Sequence, residues 1–235
     1  MSHTAGTSDV ATVRLALARG SAVVLPNPAP LTCVVAATEP AAVNAAKQRP
    51  PGQAVALWAH HPVTLDRLVG LLALDPADLR LARRLLAEEL LTLLVPVRDE
   101  AAAPGWLGPA TRDGWTLLFG ARHPGLGPLL DPFPLLYVSS ANRTGQLPCP
   151  TPADAAAVFA PAVPVLAEPV LPEPVPVEPV PAVPVPVEPV QRRATTTVRL
   201  HPDGRLDLHR HGAQDLGRPG GTADYLARLR RTYGT

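Results

Sequence analysis

Lys47 is the single lysine in a chain that carries 20 arginines, and Arg49 stands two residues beyond it. An ammonium beside a guanidinium joins a compact charge to a planar fork, a pairing suited to a phosphate or a carboxylate. A Lys-x-Arg at a helix end also has a plain structural explanation, because cations favour helix C-termini. The second candidate is Ser139-Ser140-Ala141-Asn142-Arg143-Thr144-Gly145, directly after an apolar strand expected over 135–138. It sets short hydroxyl and amide groups at the carboxyl edge of a sheet, where α/β proteins bind ligands. An ordinary turn, with Asn142 and Gly145 at positive φ, is the competing reading. Two further segments, Ala194-Thr195-Thr196-Thr197-Val198 and Arg210-His211-Gly212-Ala213, carry hydroxyls and a cation without a signal of their own.

Other chemistries lack their signatures. There is no Gly-x-Ser-x-Gly elbow for a serine hydrolase and no GxxxxGK[ST] loop, so an ATP site here is not a P-loop. His209 and His211 share one face of an expected strand, but no third ligand has a convincing spacing, so no metal site is assigned. Cys33 and Cys149 are far apart in sequence and read as reduced thiols. The net charge of +1 argues against a strongly basic nucleic-acid binder, though not against a local basic groove. No basic-then-apolar leader opens the chain, and no apolar run approaches the roughly 20 residues that span a bilayer. The expectation is a soluble, cytoplasmic protein that does not engage a membrane.

The elements that must position these residues alternate. A helix is expected from a Ser8 cap to Arg19, strands over 22–26, 31–37 and 54–58, and a short helix over 40–46 that delivers Lys47. Helices follow over 64–72 and 76–88, then strands over 90–97, 115–119 and 135–138, and a Thr151-capped helix to Phe159. Strands interleaved with helices argue for an α/β domain. Between Glu168 and Val190 the chain becomes a five-residue EPVPV-type repeat, part of the 31 prolines in 235 residues. Alternating proline supports neither helix nor central strand, so this is a polyproline-like tether, either an inflated linker or a ligand for an unknown protein. The organisation is therefore a main α/β part over 1–165, the tether over 166–191, and C-terminal strands and a helix over 192–235. That last part holds a hairpin around Pro202-Asp203-Gly204 and a helix over 222–231.

In order, KQRPPGQAVALW, GARHP, YVSSANRTGQLPCPTPADAAAVF and ATTTVRL…GRLDLHRHGA resemble the YrdC-like family of threonylcarbamoyl-AMP synthases. The resemblance runs from about Arg19 to Ala213 and is broken by the tether. It implies a twisted mixed sheet with flanking helices and a concave, positively charged face. The implied reaction joins threonine, bicarbonate and ATP, with Mg²⁺, into threonylcarbamoyl-AMP and pyrophosphate for tRNA modification. Tied to it are tRNA or double-stranded RNA as possible partners. By motif position, Lys47 and Arg49 would act on the triphosphate and the carboxylated amine. Ser140, Asn142, Arg122, Arg210 and Thr195 (or Thr196, one residue later) would bind the nucleotide.

The departures are as specific. The family's Pro-Thr-Asp-Thr-Val-Tyr-Gly-Leu falls on Pro26-Asn27-Pro28-Ala29-Pro30-Leu31-Thr32-Cys33, which keeps only the first proline and leaves Asn27 in a degenerate substrate position. The family's Trp-Pro-Gly-Pro-Leu-Thr falls on a stretch that includes Glu88 and Glu89, placing negative charge near an anion site. Three readings follow: a synthase with a remodelled pocket, an enzyme acting on another amine or carbamoyl donor, and a non-catalytic paralogue that binds nucleotide or RNA.

Overall fold

The structure, a computed structural model, describes residues 6–167, 191–216 and 220–234. The proline-rich repeat expected over 168–190 lies outside them. Within them, nine strands form one mixed sheet: β1 Val23–Leu25, β2 Val34–Ala37, β3 Ala56–Trp58, β4 Thr92–Pro96, β5 Thr111–Arg112, β6 Trp115–Phe119, β7 Tyr137–Ser140, β8 Thr197–Leu200 and β9 Leu206–Arg210. Among the described residues, seven α-helices flank it: α1 Val10–Ala18, α2 Pro40–Ala46, α3 Pro62–Leu68, α4 Pro76–Ala87, α5 Gly127–Leu130, α6 Pro152–Phe159 and α7 Gly221–Tyr233. The strand order is β1-β2-β7-β3-β6-β4-β8-β9, with β5 added on β6. Among the described residues, β3–β6 and β4–β8 are the parallel strand pairs.

Alternation of side chains along the strands separates two cores. Val35, Leu57, Leu93 and Val198 face a layer that receives Val43 of α2, Leu68 of α3, Leu85 of α4, Ala155 of α6 and Leu229 of α7. Val34, Ala36, Ala56, Phe119 and Val138 face the other side, where α1 brings Val13 and Leu17 and α5 brings Leu129 and Leu130. Each fully buried leucine or phenylalanine contributes about 2 kcal/mol. Among the described residues the second face is covered by α1 and α5, and the cavity described below opens on it.

Local chemistry sets the element ends. Asp9, not Ser8, caps α1, its carboxylate accepting from Thr12 N at 2.7 Å. Ser8 N instead donates to Val165 O. Thr151 and Asp154 form a reciprocal capping box at α6. The expected 135–138 strand lies two residues later, so Ser139 and Ser140 are inside β7, opposite Val35 and Val34 of β2. Glu89 does not approach the anion-binding face. Its carboxylate accepts from Arg228 Nη2 at 2.5 Å, Tyr233 OH at 2.9 Å and Tyr225 OH at 3.4 Å, fastening α7 to the turn before β4.

Candidate functional site

The α2 helix opens on Pro40 and ends at Lys47, after which Gln48 takes φ 55° and turns the chain back. Arg49 N reaches Asn44 O at 3.1 Å, so both cations of the Lys-x-Arg leave one tight turn. Asn44, fully buried in the last turn of α2, holds that turn closed. Its Nδ2 donates to Pro51 O at 2.6 Å and Gln53 O at 2.8 Å, while its Oδ1 accepts from Arg49 Nε at 2.5 Å.

Lys47 is 3% exposed. Its Nζ donates to Ser140 O, to Asn142 Oδ1 at 2.6 Å and to Asn142 O at 3.1 Å, with Ser140 Oγ at 3.4 Å. Ser140 Oγ donates in turn to Asn142 Oδ1 at 2.7 Å. The loop that carries Asn142 is pinned from its far side by Thr144, whose N and Oγ1 both donate to Lys47 O, at 3.2 and 3.1 Å. Arg143 points away: it donates to Ala46 O and Val158 O and lies over the Phe159 ring at 4.9 Å. Burial disfavours the charged ammonium, and the neighbouring Arg49 guanidinium repels it, so the Lys47 pKa is pushed down to about 7; Cys149 opposes the shift.

These groups line a cavity of about 330 Å³ on the thinly covered sheet face. Lys47, Arg49, Ser140 and Asn142 form one side; Asn27, Thr32, Thr92 and Thr195 form another, and Arg210 closes the end of β9. Arg210 Nη2 donates to Thr195 O at 3.2 Å. The charged lining residues are Lys47, Arg49 and Arg210, all cations. Such a site attracts anions and, in a partly desolvated cavity, stabilises negative charge more strongly than exposed cations would.

The structure therefore brings together Lys47, Arg49, Ser140, Asn142, Thr195, Arg210 and Asn27. It resolves the Thr195/Thr196 ambiguity by position: Thr195 lines the cavity, whereas Thr196 Oγ1 donates to Asp215 Oδ1 at 2.7 Å behind it. Arg122 does not join them, since its Nη1 donates to His60 O at 3.1 Å and it is not part of the lining. Asn44, a supporting residue, carries no motif in the sequence and is signalled only as a poor helix former in an Ala/Val helix; Thr92, which lines the cavity, ends the stretch 88–92 that falls on the family's Trp-Pro-Gly-Pro-Leu-Thr. His211, of the His-x-His pair, bonds Asp215 at 2.5 Å.

No protein-family profile matches the chain, and no curated protein matches it in sequence. Solved structures do. P. abyssi Sua5, crystallised with L-threonine, superposes with a TM-score of 0.60 at 16% identity, over 87% of this chain and 55% of that one. Full-length HypF in its phosphate- and nucleotide-bound form gives 0.59 at 14% identity, over 91% of this chain and 30% of that one. E. coli YciO gives 0.57 at 13% identity, over 92% of each chain. This chain thus spans about half of the Sua5 structure's length. At such identities the likeness is one of architecture: the described residues have the twisted mixed α/β fold of the Sua5 and YrdC-like proteins.

Proposed function

We propose that the cavity binds ATP and a small carboxylated amine and transfers the adenylyl group between them, as a threonylcarbamoyl-AMP synthase does. The observation that carries this reading is a buried lysine clamped by Ser140 and Asn142, facing Arg49 and Arg210, in a cavity whose charged lining is wholly cationic. In the reaction, an amine nitrogen and bicarbonate give a carbamate and water. A carbamate oxygen then attacks the α-phosphorus of ATP, the bond to the β-phosphate oxygen breaks, and pyrophosphate leaves. Lys47 and Arg49 would hold the charge that accumulates on the phosphate oxygens. Because no carboxylate lines the cavity among the described residues, Mg²⁺ would enter on the nucleotide, without a protein ligand. Threonine is the amine that the fold likeness favours, since the Sua5 structure holds it, and tRNA modification is the process such a product would serve.

A second reading, a nucleotide- or RNA-binding paralogue without turnover, is favoured by the segment 26–33, where the family's threonine, aspartate and tyrosine are absent. Pyrophosphate release from ATP with bicarbonate, with and without threonine, separates the two. Release that depends on threonine and bicarbonate and is lost in Lys47→Met supports the synthase. ATP binding without release in any mixture supports the second reading, and a wild-type protein that does not bind ATP refutes the synthase and the nucleotide-binding form of the second reading.

A further inference from the structure

Arg210 reaches the end of the cavity from an irregular place in the sheet. The β8–β9 ladder slips register between Thr197 and Val198, so Thr197 stands opposite Arg210 and Val198 opposite Leu208. What places the guanidinium there is the hydrogen bond from Arg210 Nη2 to Thr195 O at 3.2 Å. Thr195 O belongs to the same peptide as Thr196 N, and in a trans peptide the two point in opposite directions. Thr196 N donates to Gln214 Oε1 at 2.7 Å, and Gln214 does not line the cavity. Gln214 cannot turn its amide round, because its Nε2 donates to Leu90 O at 2.8 Å and a carbonyl only accepts. Asp215 fixes the neighbouring hydroxyl. Its carboxylate, 3% exposed, accepts from Thr196 Oγ1 at 2.7 Å and Gly212 N at 2.8 Å through Oδ1, and from His211 Nδ1 at 2.5 Å through Oδ2. Thr196 Oγ1 accepts in turn from Gln214 N at 3.1 Å and Asp215 N at 3.2 Å, which fills both of its lone pairs.

We infer that Gln214 and Asp215 are positioning residues: gripping Thr196 from behind, they aim Thr195 O at Arg210 and so hold that cation where an anion in the cavity meets it. The inference rests on the preceding reading of the cavity and adds the residues that set one of its cations in place. Thr195 Oγ1 is held separately, 2.6 Å from Thr92 Oγ1, so losing the grip acts on the carbonyl and, through it, on Arg210. Thr196 N left without an acceptor is relieved by turning the 195–196 peptide, and that turn takes the acceptor away from Arg210. Charge at 215 has no part in this. An asparagine there offers its oxygen to Thr196 Oγ1 and Gly212 N and its amide N–H to His211 Nδ1 in the other tautomer. A carboxylate acting through its charge behind a cationic cavity would instead oppose anion binding, and its removal would tighten it.

The test is a double-mutant cycle, read by calorimetric titration of the full chain with ATP and, separately, with inorganic triphosphate. Gln214→Met and Asp215→Ala should each weaken both ligands about tenfold, the weight of one charge-assisted hydrogen bond. Asp215→Asn should stay within about threefold of wild type. In an Arg210→Met background the first two substitutions should weaken binding no further, because the group they act through is gone. A role confined to stability would lower the melting temperature without this dependence on Arg210. Gln214→Met, which keeps the length of the side chain, completes the cycle if Asp215→Ala does not fold. Losses that add in the double variants, affinity unchanged in the single variants, or tighter binding in Asp215→Asn overturns the inference. Two ligands keep the two readings apart. ATP binding without the cycle refutes this inference alone, the cycle with triphosphate but no ATP binding refutes the proposed reaction alone, and a wild type that binds neither ligand refutes both.

Discussion

If Lys47 must be charged to hold an anion, ATP binding has to take up a proton, and the size of the effect follows from its burial. In the free protein the ammonium is pushed down to about 7 by desolvation and by Arg49, against about 10.4 in an unfolded chain. The sign for folding is that the unfolded chain binds more protons between those values, so Lys47 makes the fold more stable as pH rises through that window. The sign for binding is opposite, because the charged form is the one an anion selects. With a midpoint at about 7, roughly a quarter of Lys47 is charged at pH 7.5 and about 1% at pH 9. ATP affinity should therefore fall about 25-fold over that range, about 2 kcal/mol. The phosphate oxygens contribute little to the slope, since their last ionisation lies near pH 6. Calorimetry at pH 7.5 in buffers of different ionisation enthalpy should report uptake of about 0.8 proton per ATP. Lys47→Met should bind more weakly at pH 7.5 and show neither slope nor uptake. A flat wild-type profile, or a slope that persists in Lys47→Met, would refute the assignment of Lys47 as the anion-holding group.

Two further substitutions separate the scaffold from the site. Glu89→Gln removes the charge that Arg228 and the two tyrosine hydroxyls share; it should cost about 2 kcal/mol of stability in a denaturant titration while leaving ATP affinity unchanged, because Glu89 is not in the cavity lining. Gly212→Ala would place a Cβ 2.2 Å from Thr196 N and 2.4 Å from the Thr195 carbonyl carbon. Backbone must move there, so thermal denaturation should show a loss of about 1–3 kcal/mol together with weaker ATP binding, since Thr195 O anchors Arg210.

How much of this was legible depends on how local the determinants are. The α2 boundaries, the Thr151 capping box and the turn at Gly204, which takes φ 73°, follow from a few adjacent residues and could be read directly. The β7 strand starts and ends two residues later than the apolar run 135–138 suggests, because the strand continues through two serines. Ser139 and Ser140 pair with β2 all the same, and their polarity belongs to the cavity above them. The parallel register of β8 on β4, Thr92 opposite Thr197, joins segments about a hundred residues apart and leaves no local trace. For the same reason the Thr92–Thr195 hydroxyl pair could not be seen. Motif order grouped Arg122 with the nucleotide residues, but a motif fixes the loop it sits in and not where a long side chain reaches, and this one reaches His60 O.

That distinction bears on how the chain could change its chemistry. The cationic side of the cavity is built by the turn after α2 and the loop after β7, locked to each other through Lys47, Ser140, Asn142 and Thr144. The uncharged side is built by the β1–β2 connection and the entry to β8, joined through Thr32 N and Arg193 O. The two sides meet in the main chain at Cys33, whose O accepts from Ala141 N at 2.9 Å and whose N donates to Cys149 O at 3.0 Å, so the side chains of residues 26–32 are the part that can be rewritten with least effect on the Lys47 clamp. Interactions at sites without shared partners act nearly independently. Substitutions in the β1–β2 connection should therefore alter which second ligand is accepted while sparing ATP affinity, and substitutions at Asn44 or Asn142 should do the reverse. A survey of single variants by parallel ATP and threonine titration decides it: if variants in 26–33 lose both ligands together, the two sides are one unit and this division of the cavity is wrong.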